Sequence, residues 1–217
     1  MKKLLFGVCA CALAFSVLPA GAATTPALNA FDDAFAKVTD YTVTVKAHEV
    51  KGDRVQDRTY HYFFKRPNWA KTDIVAGDGA GSGGVWKGGN VVKGHLRVAF
   101  ITVGKTVDIH DGRATSLRGY TIPDGLLQNE VDKFKDIKGE LTQRDGGEVD
   151  GTPTDEIDLK VADPATNDNI TRAVLYLSKA THFPVKQVRY EGDKEVANET
   201  FSDLKTNVGL TQNDFPF

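Results

Sequence analysis

The sequence predicts an α+β fold, an open antiparallel half-barrel of about ten strands with helices covering its concave face. Three features carry that reading. Only two segments repeat apolar residues at helical spacing, one near the N terminus and one after Ile122. Most of the remainder alternates with a period of two between short glycine turns. In 170–177, Val174 and Tyr176 oppose Ala173, Leu175 and Leu177, so both faces of that strand must cover something. A curved sheet with helices on its concave side meets that need, as does a barrel closed around a ligand.

The first residues stand apart. Lys2 and Lys3, the apolar run 4–18, Pro19 and Ala20-Gly21-Ala22 have the order of a secretory signal peptide over 1–22, leaving one domain at 23–217. The run is shorter than the ~20 apolar residues of a membrane span. Cys9 and Cys11 both fall inside it, so disulfides, thiol catalysis and cysteine metal sites are not expected in the mature chain. Val8-Cys9-Ala10-Cys11 loosely resembles a lipoprotein cleavage box that would leave Cys11 lipidated, but the apolar stretch before it is short. The expected compartment is the periplasm.

Thr24-Thr25-Pro26 starts the first helix, with a threonine N-cap and proline at the first helical position, where its missing N–H costs nothing. Leu28, Phe31, Phe35 and Val38 share one face, and Asp40 ends the element. From Tyr41 the period is two: Tyr41, Val43, Val45 and Ala47 alternate with Thr42, Thr44, Lys46 and His48. Gly52-Asp53 turns the chain into a second strand over 54–66. Pro67 ends it, having no N–H for the next rung. That end reads Tyr62-Phe63-Phe64-Lys65-Arg66-Pro67-Asn68-Trp69, an aromatic wall beneath a basic pair that can anchor a ligand head or a neighbouring loop. A third strand covers 69–75, and the glycine-rich 77–84 is a loop.

Lys87-Gly88-Gly89-Asn90 is a hairpin turn between Val85-Trp86 and Val91-Val92. Strands are expected over 96–103 and 106–110, with Gly104-Lys105 as their turn, and a polar loop over 111–119. Ile122-Pro123-Asp124 opens the second helix, with Leu127, Val131, Phe134 and Ile137 on one face. Strands over 140–144, 148–161, 170–177, 184–190 and 195–205 complete the chain, with Asp145-Gly146-Gly147 and Glu191-Gly192-Asp193 as turns.

Motifs for chemistry are sparse. The segment 99–106 fits a permissive nucleotide-loop pattern but lacks the inner glycines that cradle phosphate, and no helix follows it. Asp108, His110 and Asp111 are a weak metal set, and Asp163, Asn167 and Asn169 match a calcium loop without its glycine or distal glutamate. His48, His61, His95 and His182 stand singly. There is no nucleophile elbow and no distinctive carboxylate pair. No catalytic residue, metal ligand or cofactor is expected. Of 27 basic residues, the two leader lysines removed, 25 face 29 acidic ones, a net charge of −4 that disfavours non-specific nucleic-acid binding.

Taken with these elements, Phe35-Ala36-Lys37-Val38-Thr39-Asp40-Tyr41, Phe64-Lys65-Arg66-Pro67-Asn68, the hairpin carrying Trp86 and the closing Asn213-Asp214-Phe215 resemble the periplasmic lipoprotein-carrier (LolA/LolB-like) family over nearly all of the mature chain. The resemblance implies an open half-barrel with a helical lid whose hollow takes acyl chains. It places Arg66 where the family's arginine holds the lid and governs release, and Phe35 at a cavity-lining position that is usually aliphatic. Candidate lipid-binding residues are Phe35, Phe63, Phe64, Trp69, Val85 and Trp86, with the inward member of the Phe63/Phe64 pair left open. Lipoprotein or lipid acyl chains, an inner-membrane donor and an outer-membrane acceptor are the implied partners of a monomer. Carrying an acyl chain through water costs ~0.8 kcal/mol per methylene, so a sixteen-carbon chain needs about 12 kcal/mol of shielding. The other function classes are an envelope sensor or interaction module whose hollow is filled by its own side chains, and an enzyme.

Overall fold

Thr25 Oγ1 accepts from the Leu28 N–H and Pro26 opens helix α1 (Pro26–Phe35), as the N-cap pattern predicts. The computed structural model describes residues 24–98 and 101–216, so the expected leader, Cys11 included, lies outside the described residues. Eleven strands follow: β1 (Asp40–Lys51), β2 (Arg54–Lys65), β3 (Trp69–Gly77), β4 (Gly83–Trp86), β5 (Val91–Val98), β6 (Ile101–Asp108), then helix α2 (Leu127–Asp136) and β7 (Gly139–Val149), β8 (Thr152–Val161), β9 (Arg172–Ser178), β10 (Pro184–Glu191) and β11 (Lys194–Thr206). No described helix is long and apolar enough to cross a membrane.

All strands form one antiparallel sheet in the order β6-β5-β4-β3-β2-β1-β11-β10-β9-β8-β7. The first and last strands pair along its middle, with Val45 opposite Phe201 and Ala47 opposite Glu199. The edge strands β6 and β7 do not meet, so the sheet is open and the barrel alternative falls. A chain leaving β6 has to travel to the far edge to begin β7. Residues 109–138 make that crossing over the concave face and form its roof together with α1.

The period-two reading of β1 is observed: Tyr41, Val43, Val45, Ala47 and Glu49 are buried while their neighbours are more open. Elsewhere turns shift. Gly104-Lys105 lies inside β6, opposite His95 and Gly94, instead of forming a turn. Asp145-Gly146-Gly147 is likewise a bulge within β7, and Asp150-Gly151 makes the turn. A Cβ on Gly146 would stand 2.5 Å from Thr154 Oγ1, so glycine here serves a close strand approach. The second helix begins at Leu127 because Pro123–Gly125 forms a separate 3₁₀ turn and Leu126 is extended. The buried Tyr41 hydroxyl accepts from the first N–H of α2 at 3.1 Å.

The roof is fastened by Arg118. Its backbone N–H donates to Glu49 Oε2 at 2.9 Å, and its guanidinium donates to the Val50 carbonyl at 2.7 Å, to Asp168 at 3.0 Å and to Glu191 at 2.6 Å. One side chain thus joins the crossing segment to the end of β1, the β8–β9 loop and β10. Its side chain is 1% exposed, so water does not substitute for lost partners. Arg118→Met should lower stability by about 2 kcal/mol, the scale of hydrogen bonds to a charged group, since the Asp168 and Glu191 carboxylates it leaves are partly open to water, and should speed amide exchange across 109–122 before the sheet opens. Exchange unchanged in that segment would show the roof to be held elsewhere.

Candidate ligand-binding hollow

Register assigns the residues that line the concave face. Gln187, Glu199, Ala47 and Arg58 lie in one row across β10, β11, β1 and β2, and Arg189, Ala197 and Glu49 in the next. Among the described residues, the roof leaves at least two cavities over these rows. One, of about 140 Å³, lies over β1–β6 and is lined by Tyr60, Tyr62, Ile74, Val92, Phe201 and Ile122 with Glu49, Arg58 and Glu199 among them. The other, of about 310 Å³, lies beneath α2 and is walled mainly by apolar side chains, Phe134, Ile137, Leu159, Val161, Ile170 and Ala173, with Gln187 and Arg189 on its floor.

A buried charge cluster stands between them. Arg189 and Glu130, with side chains 5% and 3% exposed, meet at 2.5 Å and tie α2 to the sheet. Glu199 lies 3.7 Å from the same guanidinium, and Lys133 lies 3.6 Å from Glu130. Tyr120 closes the cluster, with Arg189 4.7 Å and Lys133 5.1 Å from its ring centre. Burial pushes the Tyr60, Tyr62 and Tyr120 hydroxyls up, so they stay neutral. Burial also pushes Glu199 up to about 7, against the pull of Arg189 and with the repulsion of Glu130 and Glu49.

The residues singled out from sequence divide. Phe64 faces inward, stacked on Tyr41 at 5.0 Å. Phe63 faces the convex side beneath Lys71 Nζ, 4.1 Å from its ring centre. Val85 is opposite Lys71 and shares that side. Trp86, opposite Ala70, packs on the core and donates its Nε1–H to the Gly89 carbonyl. Trp69 stands at the start of β3 against Phe215 and Lys87. Phe35 packs between Phe31, Tyr41 and Phe64. None of these six lines either cavity. The aromatic wall is therefore split between two faces, because side chains on a strand alternate.

Arg66 binds the end of α1. Its guanidinium donates to the Val38 carbonyl at 2.5 Å and the Phe35 carbonyl at 2.9 Å, and it lies 5.0 Å from the Phe35 ring centre. Helix α1 is also joined to α2 by Lys135, which bonds Asp32 at 2.7 Å. In the weak metal set, Asp108 accepts from the His110 backbone and Asp111 is taken by Arg113. The sequence reading missed Gln187, Arg189 and Glu199. Only Glu199 carried a signal, in the same alternation as Ala197 and Phe201; Gln187 and Arg189 alternate with Val188 and Tyr190, a pattern that reads as an outward polar face.

No protein-family model and no curated protein matches the chain. Solved structures that it resembles include a LolA superfamily protein from Nitrosomonas europaea, 12% identical over 88% of this chain and 96% of that one with a TM-score of 0.40. Lipoprotein LppX of Mycobacterium tuberculosis is 15% identical over 87% and 99%, TM-score 0.48. The Pseudomonas aeruginosa MucA/MucB complex structure matches at 13% over 89% of this chain and 61% of that chain, TM-score 0.44. These are likenesses at low identity with TM-scores below 0.5, and they concern the course of the chain alone.

A carboxyl whose folded pKa is raised binds its proton in the native state before the unfolded chain does. Stability therefore falls as pH rises from the ordinary glutamate value of 4.5 toward about 7, and the loss is complete above that. Glu199→Gln removes this slope. Its thermal midpoint should draw ahead of the wild type between pH 5 and 8, by on the order of 2 kcal/mol of stability at the upper end. Parallel pH profiles would show that Glu199 is not the titrating group.

Proposed function

We propose that this chain is a periplasmic carrier or binder of lipid or lipoprotein acyl chains, working by reversible burial with no chemical step. The observation that carries the reading is the roofed hollow, above all the apolar cavity of about 310 Å³ beneath α2. Small-ligand pockets begin at about 300 Å³. Were a void of this size sealed and empty, the cost at ~24 cal/mol per Å³ would be on the order of 7 kcal/mol, comparable to the whole stability of a domain. The cavity opens to solvent, so it escapes that cost while presenting an apolar wall to an occupant. A hydrocarbon chain suits the lining, since every methylene taken from water gains ~0.8 kcal/mol.

Opening requires a movable cover; α1 and α2 are held by buried apolar faces, Leu28, Phe31 and Phe35 on one and Leu127, Val131 and Phe134 on the other, together with polar contacts at Arg66, Lys135 and Glu130. Arg66 is proposed to hold α1 on the sheet between loading and release, with donor and acceptor proteins in the two membranes supplying and receiving the cargo. Phe35, Phe64 and Trp86 back the roofed region, while the walls of the cavity beneath α2 belong to β8–β10, the β8–β9 loop and α2.

Mass spectrometry of the protein purified from cell envelopes should find acyl species in near-stoichiometric amount. Ala173→Leu, which puts methyl groups into the cavity, should raise the thermal midpoint of the empty protein by a few degrees and reduce co-purified lipid severalfold. Wild-type protein free of lipid, together with an Ala173→Leu variant that is destabilised, would show a hollow not built for hydrocarbon. Arg66→Leu should keep the sheet intact and slow the release of bound chains. Release at the wild-type rate would remove Arg66 from the mechanism.

A further inference from the structure

Arg189 stands between two carboxyls. Its guanidinium meets Glu130 of α2 at 2.5 Å, while Glu199 of β11 lies 3.7 Å away, beyond hydrogen-bond reach. Arg189 Nη1 and Glu199 Oε2 are both buried without a hydrogen-bond partner, so the site provides poorly for Glu199 as an anion. Charged and titratable groups face it from every side: Arg189 from β10, Glu130 and Lys133 from α2, Glu49 from β1, Tyr60 and Tyr62 from β2. Tyr120 of the crossing segment lines the same cavity. Arg58 lies beyond Ala47 in the same row and is turned to the Asp78 carbonyl and the Tyr60 hydroxyl. Burial opposes ionisation of Glu199 most, Arg189 and Lys133 favour it, and Glu130 and Glu49 oppose it again. The carboxyl therefore keeps its proton well above the usual carboxylate range.

Lifting α2 reverses that balance. Water then reaches Glu199 and removes the burial penalty, so the open arrangement holds the proton less tightly than the closed one and rising pH favours opening. The charges that part already have other partners. Glu130 has Lys133 at 3.6 Å, one turn along its own helix, and Arg189 has Glu199 within the sheet. One pair between helix and sheet gives way to one pair within each. We propose that Glu130, Arg189 and Glu199 form a pH-operated latch on α2: while Glu199 is protonated Arg189 holds Glu130 and the roof stays down, and once Glu199 ionises α2 lifts and the space beneath it widens to pass a chain. Leu127, Val131 and Phe134 still hold α2 by their buried faces, so ionisation raises the population of the open form and does not detach the helix. The latch rests on the acyl-binding reading above for what passes and adds the condition that opens the way.

Hydrogen exchange on the delipidated full chain at pH 5.5 and 8.5 reads the latch. Protection factors over 127–136, which already allow for the intrinsic exchange rate, should lie below those of β9 at both values and fall on the order of tenfold from the lower to the higher. Glu199→Gln, uncharged and of the same shape, should keep them at the low-pH level throughout. A probe whose charge does not change with pH, the methyl ester of pyrenedodecanoic acid, should leave the wild type severalfold faster at pH 8.5 and leave the variant at one rate. Protection over 127–136 that is flat or rises with pH, falls equally in the variant, or matches that of β9 at both values overturns the latch. Release of the probe at one rate from a protein whose α2 does open overturns α2 as the way out. A working latch on a protein that binds no probe leaves the latch standing and removes the acyl-binding reading.

Discussion

The Arg189–Glu130 ion pair is the contact around which the concave face is arranged. It joins the middle of the sheet to α2, at the point where the crossing segment must be held down, and it divides the hollow into two cavities. Two buried charges at 2.5 Å offset much of each other's desolvation, but removing either would leave the other stranded at a cost of several kcal/mol. The pair therefore acts less as a source of net stability than as a constraint on where α2 can sit. Everything above the sheet follows from that placement, including the space left beneath the helix.

An open sheet with its two edge strands far apart obliges the chain to pass over its own concave face, and the passage supplies the roof without a second domain. The roof is fastened at polar points: Arg118 at one end of the strap, Arg189 beneath α2, Lys135 between the helices and Arg66 at the end of α1. Between those points α1 buries Leu28, Phe31 and Phe35 and α2 buries Leu127, Val131 and Phe134, and the packing is open only at the cavities. Close packing throughout would stabilise the fold further, and the space under α2 is where the fold forgoes it.

Local pattern made much of the fold legible. The threonine-proline helix start, the alternation of β1 and the meander after α2 are all short-range properties, and all are observed. Glycine was the weaker guide, because a glycine marks either a turn or a close approach. Gly104 lies mid-strand and Gly146 marks a bulge, and only the partner strand decides between these roles. The site was legible only in part. Tyr62 to Trp69 reads as one aromatic cluster along the chain, yet strand geometry sends Phe63 and Phe64 to opposite faces. Gln187, Arg189 and Glu199 come together through the β10–β11 pairing and the roof that brings Glu130 to them, relations that span 59 residues of sequence in the case of Glu130 and Arg189.

The central claim is that hydrocarbon enters the space between α2 and β8–β10. Crystallography with an acyl chain brominated at its far end measures this directly, since the anomalous signal of bromine locates the chain without interpretation of its density. The account predicts a single bromine peak within van der Waals contact of Phe134, Leu159 or Val161. A peak on the convex face beside Phe63 and Val85, or no ordered bromine under saturating lipid, would contradict it.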